Sequence, residues 1–552
     1  GRLDLGDGDD AAVLLNDGVF GGSLANVETL RKLNPGTWTL TSDVAVTRTA
    51  SVFDGGLRIS GRLTAPQVQT FGRGTLSGAG TIQGSLVNDG VFAPDGGQQL
   101  RVAGDFHQTA SGVFRFSPQA GATAPLAVDG AVMLDGTLAL SGAAAALRPG
   151  GVFDLVAVTP GAPVTGRFAR IDGLGPYFVT GALRRSADGR VIRLSIERQP
   201  YASAAQSPAQ AAVGAALDAA LARGSAGLQP IFDRLDRLSA AQAATDLDRL
   251  SPRTPVMAAT AVEVALRTAQ AAVGQWLELG PSDGVPGSFR VWGHAGRRTG
   301  TSRGDAGATF GMRIDHATAG LDYALPDGTR VGLALSGLDV GASLRAGGAS
   351  IEAAPKLVAV TAGHAWPRWR MAGALMIGDA NPSWRRDGLT GPNAARSDSD
   401  MAAAFATLTY AGNIGPFIVK PSATLHVSRV RADAAEESGG AALSTMADTR
   451  WSVRPEAGWR MVARPGPIHP YVGVAAAYEA GERDRDLTAM FRADPLAAFS
   501  LTGPAPRKLW LTVQAGANIE LGPGVMARIG FDGVVNEPLA GRGFGAGLSY
   551  RW

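Results

Sequence analysis

The sequence predicts an all-β protein in three parts: a parallel β-helix, an α-helical linker, and a 12-stranded antiparallel transmembrane β-barrel with a helix in its pore. Three observations predict this fold class. Residues 1–200 contain an internal repeat with regularly spaced turn residues, residues 201–287 have helical periodicity, and residues 288–552 alternate apolar and polar side chains. The 75 glycines and 32 prolines also suit many short strands and turns better than long helices.

The internal repeat defines the N-terminal part. LLNDGVFGGS at 14–23 returns as LVNDGVFAPDG at 86–96. Such repeats predict a parallel β-helix, in which each turn buries its side chains only against its neighbours. We expect Asn88, Asp89 and Gly90 to form a corner between strands, because these residue types tolerate turn conformations. A turn is a simpler role for Asn88 and Asp89 than a catalytic one.

Residues with catalytic or metal-binding chemistry are scarce in this part. His107 is its only histidine, no GxSxG motif occurs there, and no partner for His107 lies at metal-ligand spacing. We expect His107 to be a solvated strand side chain, and we expect no catalytic residue, metal ion or cofactor. The 51 Lys and Arg are scattered among 48 Asp and Glu, which argues against a nucleic-acid surface.

The clearest helix of the linker is predicted at 255–279, with Thr254 as N-cap and Pro255 at the first position. At about 1.5 Å per residue it is about 37 Å long, enough to cross a hydrocarbon core of about 30 Å. Its side chains are mostly small, with Glu263 and Arg267 four residues apart. Such a helix suits a water-lined pore better than lipid; the alternative is an Ala-rich surface helix on a soluble domain. No uninterrupted run of apolar residues long enough for a lipid-facing helix occurs.

The C-terminal part alternates as membrane-spanning strands do. In the segment 509–521 every odd position is apolar, while the even positions include Gln514, Asn518 and Glu520. One face of each strand therefore suits lipid and the other suits water. Strands are predicted near 289–300, 309–325, 330–344, 350–366, 369–384, 400–412, 416–430, 449–463, 468–481, 508–521, 524–535 and 543–552. The inward polar positions give these pore-lining candidates: Arg454, Glu456, Arg460, Glu520, Arg528 and Asp532.

The connections between these strands alternate in length. Longer polar loops are predicted around residue 300 and at 384–401, 431–449 and 482–507. Short turns are predicted at 326–328, around 367, and at 413–415, 464–467 and 522–524. Short turns on one side and long loops on the other are expected of an outer-membrane barrel. A soluble barrel of the lipocalin type would instead need its apolar face inside.

The last strand, FGAGLSYRW, ends the sequence on an aromatic residue. Phe544, Leu548, Tyr550 and Trp552 share one face, while Gly and Ser lie on the other. A soluble edge strand is the alternative, but the preceding strands favour a membrane barrel. The pattern resembles the closing strand of outer-membrane barrels, whose terminal aromatic belongs to the signal that the barrel-assembly machinery reads.

These features, in this order, resemble type Va, pertactin-like autotransporters. The run 74–196, with LAVDGAVMLDGTLAL at 126–140 and TGRFARI at 165–171, is similar to the end of their β-helical passenger. In that family this part caps the β-helix and promotes its folding after secretion. Residues 201–287 resemble the linker with its pore helix, and residues 288–552 resemble the translocator barrel.

The resemblance implies a Gram-negative outer-membrane protein that exports its own N-terminal passenger and anchors it at the cell surface. The expected partners are outer-membrane lipid, the barrel-assembly machinery, periplasmic chaperones and, for an adhesin or surface stalk, a host-cell receptor. The sequence starts at Gly1 within a strand-like pattern, without Met or a signal peptide, and we interpret it as a fragment or processed form. The alternative function is a surface-anchored enzyme whose catalytic domain lies upstream of residue 1.

Two further motifs bear on these functions. Relatives that cut their passenger inside the barrel do so at an Asn of the linker helix, but no Asn occurs between Asn88 and Asn381. We therefore expect no self-cleavage. Arg303-Gly304-Asp305 in the first long loop matches an integrin-type RGD motif. A chance match is the simpler interpretation, because Arg and Gly are abundant, and adhesion through this motif is the alternative.

Overall fold

The computed structural model describes residues 1–119, 121–141, 147, 149–175, 177–279, 285–303, 309–345, 348–464, 466–483, 485–503, 508–535 and 540–552. The chain forms two compact units. The first contains Gly1–Gln199 with Leu235–Ala240, and the second contains Pro200–Arg234 with Ala241–Trp552.

The first unit is a β-solenoid of short strands joined by Gly-, Asn- and Asp-rich turns, as the repeat predicts. Its strands are β1 (Arg2–Asp4), β2 (Ala11–Leu15), β3 (Gly18–Phe20), β4 (Ser23–Ala25), β5 (Thr29–Leu33), β6 (Thr37–Leu40), β7 (Val44–Ala45), β8 (Thr49–Ile59), β9 (Arg62–Gly78), β10 (Thr81–Pro94), β11 (Leu100–Val102), β12 (Phe106–Gln108), β13 (Val113–Phe116), β14 (Leu126–Val128), β15 (Val132–Leu134), β16 (Thr137–Leu140), β17 (Val152–Val158), β18 (Val164–Gly166), β19 (Arg170–Asp172), β20 (Val179–Arg185) and β21 (Val191–Arg198).

Successive rungs of the solenoid pair in parallel, so that similar side chains stack on one another in columns. One column runs through five stacked strands, β9, β10, β11, β14 and β17, whose register partners are Leu63, Ile82, Val102, Val128 and Val158. All five are buried. Because each rung buries its apolar residues against the rungs on either side, the core extends along the solenoid axis.

Asn88 does not have the turn role predicted for it. It lies within β10, and the pairing of β10 with β9 has a register shift just after it, between Asp89 and Val91. Its side chain is fully buried; the Thr70 hydroxyl donates to Asn88 Oδ1 at 2.5 Å, and Asn88 Nδ2 donates to Gln108 Oε1 at 2.7 Å. The prediction is wrong because these bonds between rungs satisfy the amide inside the core.

The solenoid ends in an antiparallel sheet. β17 pairs in parallel with β14 but antiparallel with β21, and β21 continues antiparallel to β20. The β20–β21 hairpin occupies the edge of β17 to which a further parallel rung would otherwise pair. The reversal therefore terminates the solenoid within the segment that resembles a passenger cap.

Four α-helices follow: α1 (Pro208–Ala222), α2 (Gln229–Leu235), α3 (Ala240–Arg249) and α4 (Arg253–Leu279). The helix α4 begins before the predicted N-cap Thr254, because the N–H of Val256 already donates to Pro252 O. Pro255 is tolerated there, since first-turn N–H groups have no intrahelical partner. By length and composition, Arg253–Glu278 is apolar enough to cross a membrane, and 94% of its most apolar window is buried inside the protein.

The remaining strands are β22 (Phe289–Arg303), β23 (Thr309–Ala324), β24 (Arg330–Leu344), β25 (Ala349–Ala353), β26 (Lys356–Ala365), β27 (Trp369–Ala380), β28 (Ser383–Asp387), β29 (Pro392–Arg396), β30 (Ser399–Tyr410), β31 (Gly412–Ile414), β32 (Phe417–Ala432), β33 (Ala435–Glu436), β34 (Leu443–Thr445), β35 (Asp448–Ala463), β36 (Ile468–Tyr478), β37 (Asp486–Phe491), β38 (Asp494–Thr502), β39 (Leu509–Gly522), β40 (Val525–Val535) and β41 (Ala540–Arg551). Twelve of them form a closed antiparallel barrel in chain order: β22, β23, β24, β26, β27, β30, β32, β35, β36, β39, β40 and β41.

The barrel closes between its first and last strands. β22 pairs with β41 along its length, and the backbones of Phe289 and Trp552 exchange two hydrogen bonds of 3.1 Å. The side chains alternate as predicted; on β39, Leu509 and Val513 are exposed outside, while Trp510 is buried and Gln514 is half-buried. The exterior is therefore apolar, and the interior contains the polar face.

The connections have the predicted asymmetry in length, but the long ones are more ordered than loops. β28 and β29 form a hairpin that extends the barrel wall, and β33, β34, β37 and β38 form a separate four-stranded antiparallel sheet. The prediction of polar loops at 384–401, 431–449 and 482–507 is wrong on this point, because these segments pair with one another at the long-loop end. The turns at the other end are short.

Candidate functional site: a barrel lumen that holds a helix

The helix α4 lies inside the barrel, with one face against its wall. Trp276 stacks on Trp292 of β22, with ring centroids 5.7 Å apart and planes 15° from parallel. Val262, Ala265 and Ala269 belong to the same buried cluster, which includes apolar residues of the strands from β23 to β32. Small side chains on α4 permit this close approach of helix and wall, as the Ala-rich sequence predicts.

The C-terminal end of α4 is bound at the short-turn end of the barrel. Arg370 Nη1 donates to Glu278 O at 3.2 Å, and Arg528 Nη1 donates to Gln275 O at 3.3 Å. Arg460 Nη1 donates to the Glu278 carboxylate at 2.7 Å. Arg370 and Arg528 thus bind backbone carbonyls of the last turn, and all three guanidinium groups place positive charge at the negative end of the helix dipole.

The N-terminal half of α4 makes an ion-pair network near the long-loop end. Glu263 accepts hydrogen bonds from Arg267 at 2.5 Å and from Arg485, after β36, at 3.0 Å. Arg267 also contacts Glu479 at 3.5 Å, and Glu479 accepts from Ser452 at 2.7 Å. Because all the charged members are buried and paired, the network fixes α4 against the β35–β36 side of the wall.

A polar cavity of about 150 Å³ lies between the other face of α4 and the wall from β32 to β40. That volume holds several water molecules. Arg298 forms an ion pair with Asp532, and Arg454 lies over the Trp510 ring at 5.5 Å. The lumen thus combines a dry apolar contact on one side of the helix with a hydrated, charged gap on the other.

The structure brings most predicted pore-lining residues to this cavity. Arg454, Glu456, Arg460 and Asp532 line it. The pore-helix pair Glu263 and Arg267 lies at its long-loop side, as described above.

Two pore-lining candidates lie outside this cavity. Arg528 is buried beside Tyr471, whose hydroxyl accepts from Arg528 Nη2 at 2.8 Å. Glu520 lies next to the short turn after β39, with 59% of its side chain exposed, and contacts His469 at 3.2 Å. It therefore belongs to the short-turn rim and not to the filled lumen, because the strand end projects beyond the enclosed section.

The residues of the predicted C-terminal signal lie on the outside. Phe544, Leu548, Tyr550 and Trp552 are each about half exposed. The Trp552 ring stacks with that of Phe289, with centroids 5.8 Å apart, across the closing seam. Aromatic and aliphatic side chains therefore cover the outer face of the seam, where a barrel contacts lipid.

Several lumen residues were not predicted from the sequence. Arg370 and Lys420 lie at inward positions of β27 and β32. Their orientation could have been predicted from the alternation of side chains in those strands. Arg485 and Glu479 lie beyond the ends of the regular strands. Alternation cannot predict which way a side chain points there. The contact between Trp276 and Trp292 could not be predicted, because it depends on how far the helix is inserted into the barrel and how it is rotated.

A second buried charge cluster lies at the long-loop end. The Glu437 carboxylate accepts from Arg386 Nε at 2.7 Å and Nη2 at 2.6 Å, from Trp384 Nε1 at 3.2 Å and from the N–H of Leu443 at 3.0 Å. Arg386 Nη1 also donates to the carbonyl of Arg249 at the end of α3. This cluster ties the linker helices to the hairpins at the mouth of the barrel.

The other sequence candidates do not form a site. Among the residues that the structure describes, no group of three or more His, Asp and Glu could hold a metal ion. His107 is exposed on β12. The RGD match at 303–305 lies outside the described side chains.

Residues 291–532 match the family model described as autotransporter beta-domain. The chain is similar to the translocator domain of NalP from Neisseria meningitidis, at 16% identity and a TM-score of 0.44, over 54% of this chain and 99% of that one. It is similar to the beta domain of Bordetella BrkA, at 14% identity and a TM-score of 0.36, over 48% and 98%. The transport unit of AIDA-I from Escherichia coli is similar at 12% identity and a TM-score of 0.36, over 54% and 98%. A comparison with curated proteins gave no match.

A closed twelve-stranded barrel with an apolar exterior and a polar lumen belongs to the class of outer-membrane β-barrels. The family match makes the assignment specific: the barrel segment is an autotransporter beta-domain. The match over this segment supports an outer-membrane protein of type V secretion.

Proposed function

We propose that the barrel exports the chain upstream of α4 and anchors it at the cell surface. The observation that supports this most strongly is the direction of α4. Its first turns lie at the long-loop end and its last turn is bound by Arg370, Arg460 and Arg528 at the short-turn end, where β22 begins.

This direction has a topological consequence. In outer-membrane barrels the short turns face the periplasm and the long loops face outside. A chain that enters α4 from the long-loop end has all its preceding residues on the outer side. The linker helix α1 agrees with this assignment, because Arg223 at its end forms an ion pair with Asp494 of β38 at 3.1 Å.

We propose that the solenoid is the exported passenger and acts as an adhesin or surface stalk. Its regular core and its antiparallel cap support a rigid, extended structural role. The segment 74–196 would promote folding of the solenoid, since a capped end supplies a template on which parallel rungs can stack. We propose no catalytic activity for the described residues; an enzyme domain upstream of residue 1 is the alternative. Outer-membrane lipid, the barrel-assembly machinery and periplasmic chaperones are the proposed partners, with a host-cell receptor for an adhesin.

Peptide tags test the sidedness. A tag inserted at Gly96-Gly97, in an exposed solenoid turn, is expected to bind antibody on intact cells. The matched control is the same tag at Gly522-Pro523-Gly524, a short turn, which is expected to bind only after the outer membrane is permeabilised. Labelling of the second tag on intact cells, or failure to label the first, would contradict the proposal.

A further inference from the structure

We propose that the barrel becomes an anion-selective pore whenever α4 leaves its lumen. The lumen wall carries many charged side chains. Some are neutralised by other wall residues, and others only by α4. The proposed selectivity goes beyond export and anchoring, because it concerns the conduction of small ions such as chloride.

Two of the carboxylates on the lumen wall are already neutralised by the wall itself. Asp322 pairs with Arg290, and both side chains are buried. Asp532 pairs with Arg298. These pairs remain when the helix is removed, so neither carboxylate supplies a free negative charge to the pore.

Other basic side chains of the wall are balanced by the helix. Arg370 and Arg528 donate to carbonyls of the last turn of α4, and Arg460 pairs with the Glu278 carboxylate. Removing α4 takes away this carboxylate together with the negative end of the helix dipole. The guanidinium groups then face an open, water-filled lumen.

Arg330 is a further basic side chain of the lumen wall. Its residue is only 7% exposed, and neither terminal nitrogen of its guanidinium has a hydrogen-bond partner among the described residues. It lies on β24 at the short-turn end, like Arg370 on β27. A buried cation without a hydrogen-bonded partner favours a nearby anion, because pairing offsets its desolvation.

The remaining wall charges do not reverse this balance. Removing α4 takes Arg267 from Glu479 and Glu263 from Arg485, so the opposite charges that remain on these two wall residues offset each other. Lys420 and Arg454 line the same cavity as the single carboxylate of Glu456. Basic groups therefore exceed acidic groups along the wall. Charged rings with low-dielectric walls focus the field in a narrow pore, and an excess of Arg and Lys selects anions.

The test is the zero-current potential of single channels in planar bilayers under a KCl gradient. With residues 255–279 deleted, the potential is expected to shift toward the chloride equilibrium potential. Combined substitution of Arg330→Gln, Arg370→Gln and Arg460→Gln in that variant is expected to abolish most of the shift. The matched control is Arg313→Gln with Arg431→Gln; both side chains are more than half exposed on the outer face, and the shift is expected to persist.

A potassium-directed potential, or a chloride-directed one unaffected by the three lumen substitutions, would overturn the proposal. Should the deletion variant fail to insert, the same measurement applies to full-length Trp276→Ala, in which the helix loses its stacking on Trp292. Its brief openings are expected to be anion-selective, and cation-selective openings would equally overturn the proposal.

Discussion

Buried polar residues determine much of the solenoid at the scale of single side chains. The Thr70, Asn88 and Gln108 side chains form a hydrogen-bonded ladder across three rungs. Lys32 is also fully buried, and its ammonium group donates to the carbonyls of Leu33 at 2.8 Å and Asn34 at 2.5 Å. Hydrogen bonds to specific neighbours fix the register of rungs that apolar stacking alone leaves free to slip.

We expect Asn88→Leu to destabilise the solenoid by about 1–3 kcal/mol, because the hydroxyl of Thr70 and the amide of Gln108 lose their partner in the core. The measurement is the urea concentration at which the full-length protein loses protease resistance in its solenoid. His107→Leu is the matched control, since His107 is exposed on the neighbouring rung. Equal urea midpoints for the two variants would contradict the ladder.

Lys32 makes the stability of the solenoid depend on pH. Burial lowers the pKa of its amino group below the ordinary 10.5. Between the lowered value and 10.5, the unfolded chain binds more protons than the folded one, so stability rises with pH in that window. We expect the urea midpoint of the wild type to gain on that of Lys32→Met as the pH is raised toward 10.5. A constant difference between the two proteins would show that Lys32 does not titrate in this way.

At the scale of elements, periodicity predicted the strands well because the membrane imposes it. A lipid-facing strand must alternate, so the bounds of strands such as β24 and β39 follow from the sequence to within a residue or two. The hairpins at the long-loop end were not predictable, because their polar segments become strands only by pairing with each other. The ion pair of Glu263 and Arg485 depends on that arrangement too.

The helix α4 is expected to block conduction. Deleting residues 255–279 should raise single-channel conductance severalfold in planar bilayers, because the helix occupies most of a narrow twelve-stranded lumen. The deleted barrel is expected to remain folded, which is checked by its faster migration on a denaturing gel when unheated than when boiled. An unchanged conductance of a folded variant would mean that α4 lies outside the lumen.

At the scale of the whole molecule, the order of solenoid, linker and barrel was evident from the sequence, because each part has its own periodicity. The direction of α4 was not evident, since a helix of suitable length fits a pore either way. It became apparent from the contacts of Arg370, Arg460 and Arg528 with the last turn.

Passenger and barrel are expected to remain one polypeptide. Self-cleavage in relatives uses an Asn nucleophile, and the linker contains none; glutamine side chains such as Gln270 and Gln275 would need a larger ring. An external protease would cut most easily around 223–227, a segment of small residues between two helices. Mass spectrometry of protein from a strain without outer-membrane proteases is expected to find the intact chain. A discrete cut within 254–280 would indicate an autocatalytic mechanism.

The position and direction of α4 are the central claim, and an engineered disulfide tests them most directly. The protein contains no cysteine, so two introduced thiols are the only ones present. A Cβ added at Gly503 would lie 2.4 Å from Val256 Cγ1, so the two positions are adjacent, as a disulfide requires. Val256→Cys with Gly503→Cys is therefore expected to form a bond that shifts migration on a non-reducing gel, while Gln275→Cys with Gly503→Cys stays reduced. Bonding of the second pair and not the first would place the helix upside down and contradict the export of the upstream chain to the surface.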